Sequence, residues 1–591
     1  MNIRYNKRQN KKLFRSITEN LAVTEPQLYS PLYTTLFQLN ETNYNHTELH
    51  HAHYVNRVFP KLHNKEADTD NITVSNSFNC EIVNTANDTS VKTVFFKYAP
   101  MLCPINYMLG KYKKYNHLFT LPKHPSAGEQ TLHHRMTSPI NASFVDGFFS
   151  FLSSQLLDNH QFVNGIKFYG SYLGIKHNFK FEISDDLEEL TESTFFVENI
   201  DNLFKIDEIA TAFIKEYANQ QQQSTLSFNV SDEIDISSLA VDISQSFNQS
   251  SSDNTIGINK LLNCVPLDGS VHIDNNDTIH STTKTYSTST NSSSSTNTSV
   301  TESDDNSDSE SDGEDECAGE GGDGEDEDDG SDDSYSSTCC DSFVYIKQFP
   351  VNIIALEQCE SVFDDLLVDD DITEDEIIAA FMQIIMTLIT YQKAFLFTHN
   401  DLHSNNIMWV KTHVPFLYYI VNGKYYKVPT YGRIYKIIDF GRAIYTVNGY
   451  VYCSDSYARN QDADGMYNTY PFVNPNKPIV NPNYSFDLAR LGCSIYDIFH
   501  KSDDKRVEKI VSDWCNDDAG KSILYKENGN IRYDGFKLCK MIARKVHRHT
   551  PLAQLSKPEF AKYETTDKKT ITKIKLKKVT HIINIDGIQG Q

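Results

Sequence analysis

The sequence predicts an α+β protein, on three observations. Short strand-type runs crowd the positions up to about 180, helical apolar patterns dominate beyond residue 370, and a long low-complexity tract lies between them. With 591 residues, 39% of them hydrophobic, the chain has length and apolar content for more than one domain and a sizeable core.

Residues 1–70 are polar and rich in Asn and His, and read as an N-terminal extension with no assignable role. The strand-like runs Ile72–Val74, Cys80–Val83 and Thr93–Tyr98 follow, each bounded by Asn, Asp, Ser or Thr. Ala142–Leu157 carries apolar residues at helical spacing, and Gly165–Gly174 reads as a further strand, so 71–180 is a small strand-rich unit with one helix. An insert spans 181–342. Its part from about 220 to 340 passes from a Gln run through Ser, Thr and Asn into an acidic block, with too little apolar surface to offset the entropy of ordering, and is expected to be disordered. Ser307, Ser309 and Ser311 sit among its carboxylates; they suit an acid-directed kinase, but a solvated spacer explains them as well.

Order is expected to resume at Phe343 and to run to about residue 560. Val351–Leu356 reads as a strand, Glu374–Gln392 as a long helix and Ile407–Val410 as a strand. Asn422-Gly423 between FLYYIV and KYYKV marks a two-residue hairpin, because this pair supplies the positive φ angles that such a turn needs. Tyr435–Phe440 is one more strand, and mainly helical sequence follows. In the basic tail 561–591, Lys568–Lys578 alternates basic with apolar residues, which predicts an edge strand guarded by lysines. Contact with nucleic acid or anionic lipid is the other reading of that pattern, and no specific nucleic-acid binding is expected.

The net charge of −25 is concentrated. Glu302–Asp333 holds 18 acidic residues and no Lys or Arg, so the rest carries 54 − (79 − 18) = −7, an ordinary balance. The 11 cysteines show no C-x-x-C pair, which argues against a disulfide framework or a zinc site and fits a reducing compartment. The basic first residues lack the apolar core of a secretion signal. The most apolar window, Ile377–Ile389, has 13 residues, short of the roughly 20 that a membrane span needs.

Three motifs carry the chemistry. His399-x-Asp401-Leu402-x-x-x-Asn406 closes the long helix, Asp439-Phe440-Gly441 follows an apolar strand, and Ser485-x-Asp487-x-x-x-Leu491-Gly492 opens a later helix. Any one of them has a plain structural explanation, such as an Asn/Asp turn ending a helix. Their order, each beside a regular element, is what distinguishes them. Together with the wording VFFK and HNDLHSNNIM, they resemble the eukaryotic-type protein kinases, and most of all those encoded by giant DNA viruses.

That resemblance implies a bilobal protein-kinase-like fold: a small β-rich N-lobe with a long disordered acidic insert, and a larger helical C-lobe. It implies ATP and Mg²⁺ as cofactors, and a protein substrate with a Ser or Thr hydroxyl as acceptor. Phosphoryl transfer needs positioning and charge neutralisation more than covalent help, which is why hard oxygen ligands and one carboxylate base suffice. By resemblance Asp401 is the base, His399 and His403 belong to its loop, and Asn406 and Asp439 hold the metal, with Gly441 completing the second motif. Lys97 grips the α and β phosphates, with Asp146 as its partner in place of the usual Glu. Leu356 is the gatekeeper, and Glu357–Cys359 form the hinge that bonds adenine. Asp487 supports the catalytic-loop backbone. A cytoplasmic location follows, in the host cell or with the virion if the protein is viral; the oligomeric state is not legible.

The pattern departs from the family in several places. No glycine precedes Gly110, so the Gly-rich phosphate loop ahead of Lys97 is absent, and an Asn/Ser-rich turn such as Ser75–Asn79 would have to serve. Asn400 replaces the usual Arg that answers a phosphorylated activation loop, so activity is expected to be independent of that switch. There is no A-P-E, and His403 stands where Ser/Thr kinases usually carry Lys. Two rivals stay open. One is a pseudokinase that binds a partner. The other is a small-molecule phosphotransferase of the aminoglycoside or choline kinase type, whose loop also reads H-x-D-L-H-x-x-N.

Overall fold

Seven strands make one antiparallel sheet: β1 (Val23–Gln27), β2 (His53–Val58), β3 (Ser77–Asn84), β4 (Thr89–Pro100), β5 (Phe168–Glu182), β6 (Phe204–Ile206) and β7 (Phe343–Glu357). Their order is β1-β5-β7-β4-β3-β2, and β6 pairs with the first residues of β7 on the side opposite β5. This computed structural model describes residues 3–61, 76–115, 117–125, 132–227, 342–369, 372–500, 505–577 and 581–590.

The central position of β7 explains its composition. Phe349–Leu356 is buried without interruption, as a strand covered on both faces must be, so the apolar run replaces alternation. Helix α1 (Lys11–Asn20) contributes Leu13 and Ile17 to the core beneath the sheet. Helix α2 (Ala142–His160) packs on β5 and β7. Asn141 caps its start by accepting the Ser143 N–H, and Gln161 ends it in the left-handed region at φ 56°. Gly147 allows the close approach, since a Cβ there would lie 2.9 Å from Asn352 Nδ2 on β7. Helix α3 (Glu208–Ser227) follows β6.

Helix α4 (Glu374–Phe395) starts in a capping box, with Thr373 and Glu376 bonding reciprocally and three acidic residues in the first turn. It is the one helix among the described residues long and apolar enough to cross a membrane, but it is almost wholly buried in the protein core. Beyond it come β8 (Ile407–Lys411), β9 (Phe416–Val421), β10 (Lys424–Pro429) and β11 (Arg433–Ile437). β8 pairs with β11, while β9 and β10 form the hairpin whose turn residues Asn422 and Gly423 take φ values of 50° and 73°. A second hairpin joins β12 (Ile444–Val447) to β13 (Tyr450–Cys453). Helices α5 (Phe486–Phe499), α6 (Lys505–Trp514), α7 (Phe536–Lys545) and α8 (Lys568–Lys575) follow, and β14 (Ile582–Asn584) returns to pair parallel with β9. The chain is a mixed α+β protein.

Several expectations change. The N-terminal extension, given no role by the sequence, contributes strands β1 and β2 to the sheet, paired to β5 and β3, because Val23, Val55 and Val58 supply buried positions that the polar average hides. Within the span expected as an insert, helices and β6 lie between Ser184 and Ser227, and α3 continues past the expected onset of disorder near 220. Ile72–Val74, Ser75 and residues 228–341 lie outside the described residues, as does the acidic block. Ser77–Asn79 is strand, not a turn. Lys568–Lys575 is a helix rather than an edge strand. Asp567 caps it through the N–H groups of Lys569 and Thr570, and Ile571 and Ile574 share a face at i, i+3 spacing, with Ile574 buried.

Candidate active site

Two of the three motifs sit on short irregular stretches between regular elements, where the backbone takes conformations that helices and strands forbid. Asn400 and Asp439 both lie in the left-handed region, at φ 67° and 61°. Asn and Asp are the side chains that tolerate it best, which gives a local reason for these residue types at 400 and 439.

Asp487, at the start of α5, is fully buried and holds the first of these stretches. Its carboxylate accepts the His399 N–H at 3.1 and 3.0 Å and the Asn400 N–H at 2.9 Å. Burial raises its pKa, against the opposing pull of His399 and of the two backbone donors. Asn400 is satisfied on every side. It donates to the Thr398 and Arg442 carbonyls and accepts the Tyr467 hydroxyl.

His399 Nε2 lies 2.9 Å from the Ile438 carbonyl, and Ile438 N–H donates to the Asn406 carbonyl, so the stretches around 401 and 439 are stitched together. Asn406 donates its amide hydrogens to the Asp401 carbonyl at 2.9 Å and to His403 Nε2 at 3.0 Å. Its Oδ1 is the atom left for a cation. Burial lowers the His403 pKa, which suits a neutral ring accepting from Asn406.

Lys97, on β4, reaches both remaining carboxylates. Its Nζ is 2.7 Å from Asp146 Oδ2 on α2 and 2.7 Å from Asp439 Oδ1. Burial opposes the ammonium, but Asp146 and then Asp439 raise it above its ordinary value. Burial raises the Asp146 carboxyl, against the pull of Lys97. At Asp439 burial acts the same way, yet Lys97 wins and holds it down to about 2. Asp146 also accepts the Phe440 N–H at 3.0 Å, and the Phe440 ring is buried against Phe149 at 4.6 Å.

Among the described residues no cluster of three or more His, Cys, Asp or Glu could hold a metal alone. A Mg²⁺ ion commonly takes one or two protein oxygens and completes its shell with water and phosphate. The Asp439 carboxylate and Asn406 Oδ1 fit that donor set. Gly441 donates its N–H to Asp439 Oδ1 at 3.4 Å.

Leu356, Glu357 and Cys359 lie at the end of β7 and just beyond. Leu356 is buried, and burial pushes the Cys359 thiol up to about 12. The Glu357 carboxylate is occupied, accepting from Lys436 Nζ at 2.6 Å and from the Lys167 N–H at 2.7 Å. Both bonds fall on Oε1, so this carboxylate is tied to Lys436 and to the backbone at Lys167.

Arg442 was not singled out in the sequence. Its Nη1 stands 3.3 Å from Asp401 Oδ1, and it also bonds Asp462. The signal available was its place directly after Asp439-Phe440-Gly441. Its approach to Asp401 depends on a fold that spacing does not reveal. Compared with protein-family models and with curated proteins, the chain matches none.

Proposed function

We propose that the protein is an ATP-dependent protein kinase of bilobal architecture. The small lobe is the seven-stranded sheet with α2, and the large lobe is the helical part from α4 onward. One observation carries the reading: Lys97 bridges Asp146 and Asp439 at 2.7 Å each, while Asp439 is tied through Ile438 and Asn406 to the loop bearing Asp401.

In this reading Asp401 accepts the proton of an incoming Ser or Thr hydroxyl. The hydroxyl oxygen bonds to the γ-phosphorus as the bond to the β–γ bridging oxygen breaks, leaving ADP and a phosphoprotein. Lys97 orients the α and β phosphates. Asn406 and Asp439 would hold Mg²⁺, whose charge neutralises the triphosphate when bound. The backbone beyond Leu356 bonds the adenine, and Glu357 is committed to Lys436.

The test is transfer from γ-labelled ATP to a generic basic protein or to the protein itself. Asp401→Asn is expected to abolish labelling with an unchanged thermal midpoint. Equal labelling by the variant removes Asp401 from the mechanism. The lack of any glycine before Gly110 favours a pseudokinase as the second reading, and metal-dependent nucleotide binding without transfer would establish it. Transfer confined to small alcohols would point to the small-molecule enzymes.

A further inference from the structure

We infer that Asp455 is a positioning residue that, with Arg135, fixes α2 so that Asp146 meets Lys97 without any phosphate being added to the chain. The inference rests on the kinase reading for its consequence in catalysis, though not for its geometry.

Both residues are buried. Arg135 Nε donates to Asp455 Oδ2 at 2.8 Å and Nη2 to Oδ1 at 3.0 Å, a paired geometry that fixes orientation as well as distance. The third guanidinium nitrogen donates to Gln461 at 2.6 Å. Asp455 Oδ1 also accepts the N–H of Ala142, the first residue of α2, at 2.9 Å, and the Asp455 N–H donates to the Ile140 carbonyl. The first N–H groups of a helix have no partner within it, so this carboxylate grips the helix where it needs an acceptor.

Ala142 and Asp146 are four residues, about one turn, apart on α2. Asp455 takes the main-chain N–H at the start of the helix, and Lys97 and the Phe440 N–H engage the Asp146 side chain one turn later. The hairpin between Asp439 and Asp455 is docked on the same helix, with the Tyr445 hydroxyl on the Val145 carbonyl at 2.9 Å and the Tyr452 ring 5.0 Å from Phe148. The contacts thus close a ring from Asp439 through the hairpin and Asp455 to α2, Asp146, Lys97 and back to Asp439.

A buried ion pair loses much of its attraction to desolvation, so net stability is a weak reason for this one and placement a stronger one. The neutral Asn400, fully occupied by its neighbours, offers no cation for a phosphate. A permanent carboxylate at 455 does the corresponding work from within the fold.

The experiment compares wild type, Asp455→Asn, Arg135→Lys, Asp146→Asn and the Asp146→Asn/Asp455→Asn double variant of the full chain. Hydrogen exchange of residues 142–148 and steady-state kinetics with Mg-ATP are the readouts. Expected are faster exchange of those residues in Asp455→Asn with the remaining protection kept, an intermediate result for Arg135→Lys, and a kcat lowered by about tenfold. The double variant should be no slower than Asp146→Asn alone, because both changes act through one contact. Unchanged exchange in Asp455→Asn, losses that multiply in the double variant, or unfolding of both Asp455→Asn and Arg135→Lys as a whole would overturn the inference. If the wild type transfers no phosphate, the kinase reading falls, and the exchange data still decide whether Asp455 positions α2.

Discussion

The ammonium of Lys97 stands 2.7 Å from the carboxylate of Asp439, although 342 positions separate them in the chain. Lys97→Met leaves the buried Asp146 without its cation, a change that costs about 3 kcal/mol where a buried pair is broken. The folded-state pKa of Asp146, already raised by burial, should rise further. A raised folded pKa means stability is greatest with the group protonated and is lost as pH rises through that value. The deficit of Lys97→Met in urea midpoints should therefore be smaller at pH 5 than at pH 8, and phosphoryl transfer from ATP should be lost at both.

Asp487→Asn keeps the shape of the buried side chain but replaces one acceptor oxygen by a donor. The carboxylate now serves the N–H groups of His399 and Asn400, and an amide would leave a buried donor unanswered. The expected loss is about 2–3 kcal/mol in chemical denaturation. Phosphotransfer should fall with it, because the backbone ahead of Asp401 loses its anchor.

Arg442→Ala should separate catalysis from stability. The side chain is partly exposed, so its pairs with Asp401 and Asp462 contribute no more than about 1 kcal/mol. The contacts that organise the loop are made by its carbonyl, which accepts from Asn400 and from the Tyr457 hydroxyl and survives the substitution. With Asp401 no longer oriented, kcat should drop on the order of tenfold to a hundredfold. Arg442→Lys should lie between the two.

His51 sets an acid limit on stability. It is fully buried against Phe168, and burial lowers its pKa from 6.5 to about 4. The unfolded chain therefore binds a proton that the folded protein refuses between those values. Its contribution is whole above about pH 6.5 and is lost as pH falls toward about 4, by up to about 3 kcal/mol. Urea midpoints across this range should show the slope, and His51→Gln should flatten it.

Local elements and the chemistry available to them are legible in the residues alone. Short strand-type runs bounded by polar residues mark β3 and β4, helical spacing marks α2, and Asn422-Gly423 marks its hairpin, because these signals are written in neighbouring residues. The order of His399, Asp401, Asn406 and Asp439, with Asp487 as a support for the backbone, likewise marks the side chains on which the proposed function rests. Which of them meet is set by the packing of elements far apart in the chain. That Asp146 reaches Lys97 depends on how closely α2 seats over Gly147, and that Arg442 faces Asp401 depends on the path of the chain after Gly441. Strands β1 and β2 were hidden for the same reason: their few buried valines become a pattern only when β5 and β3 lie beside them. Lys568–Lys578 reads as a strand because Lys573–Lys577 alternates lysine with Ile574 and Leu576, whereas Ile571 and Ile574 are spaced as on a helix. The Asp567 cap and the burial of Ile574 then select the helix. Side-chain type is local information, whereas proximity is created by packing surfaces hundreds of residues apart.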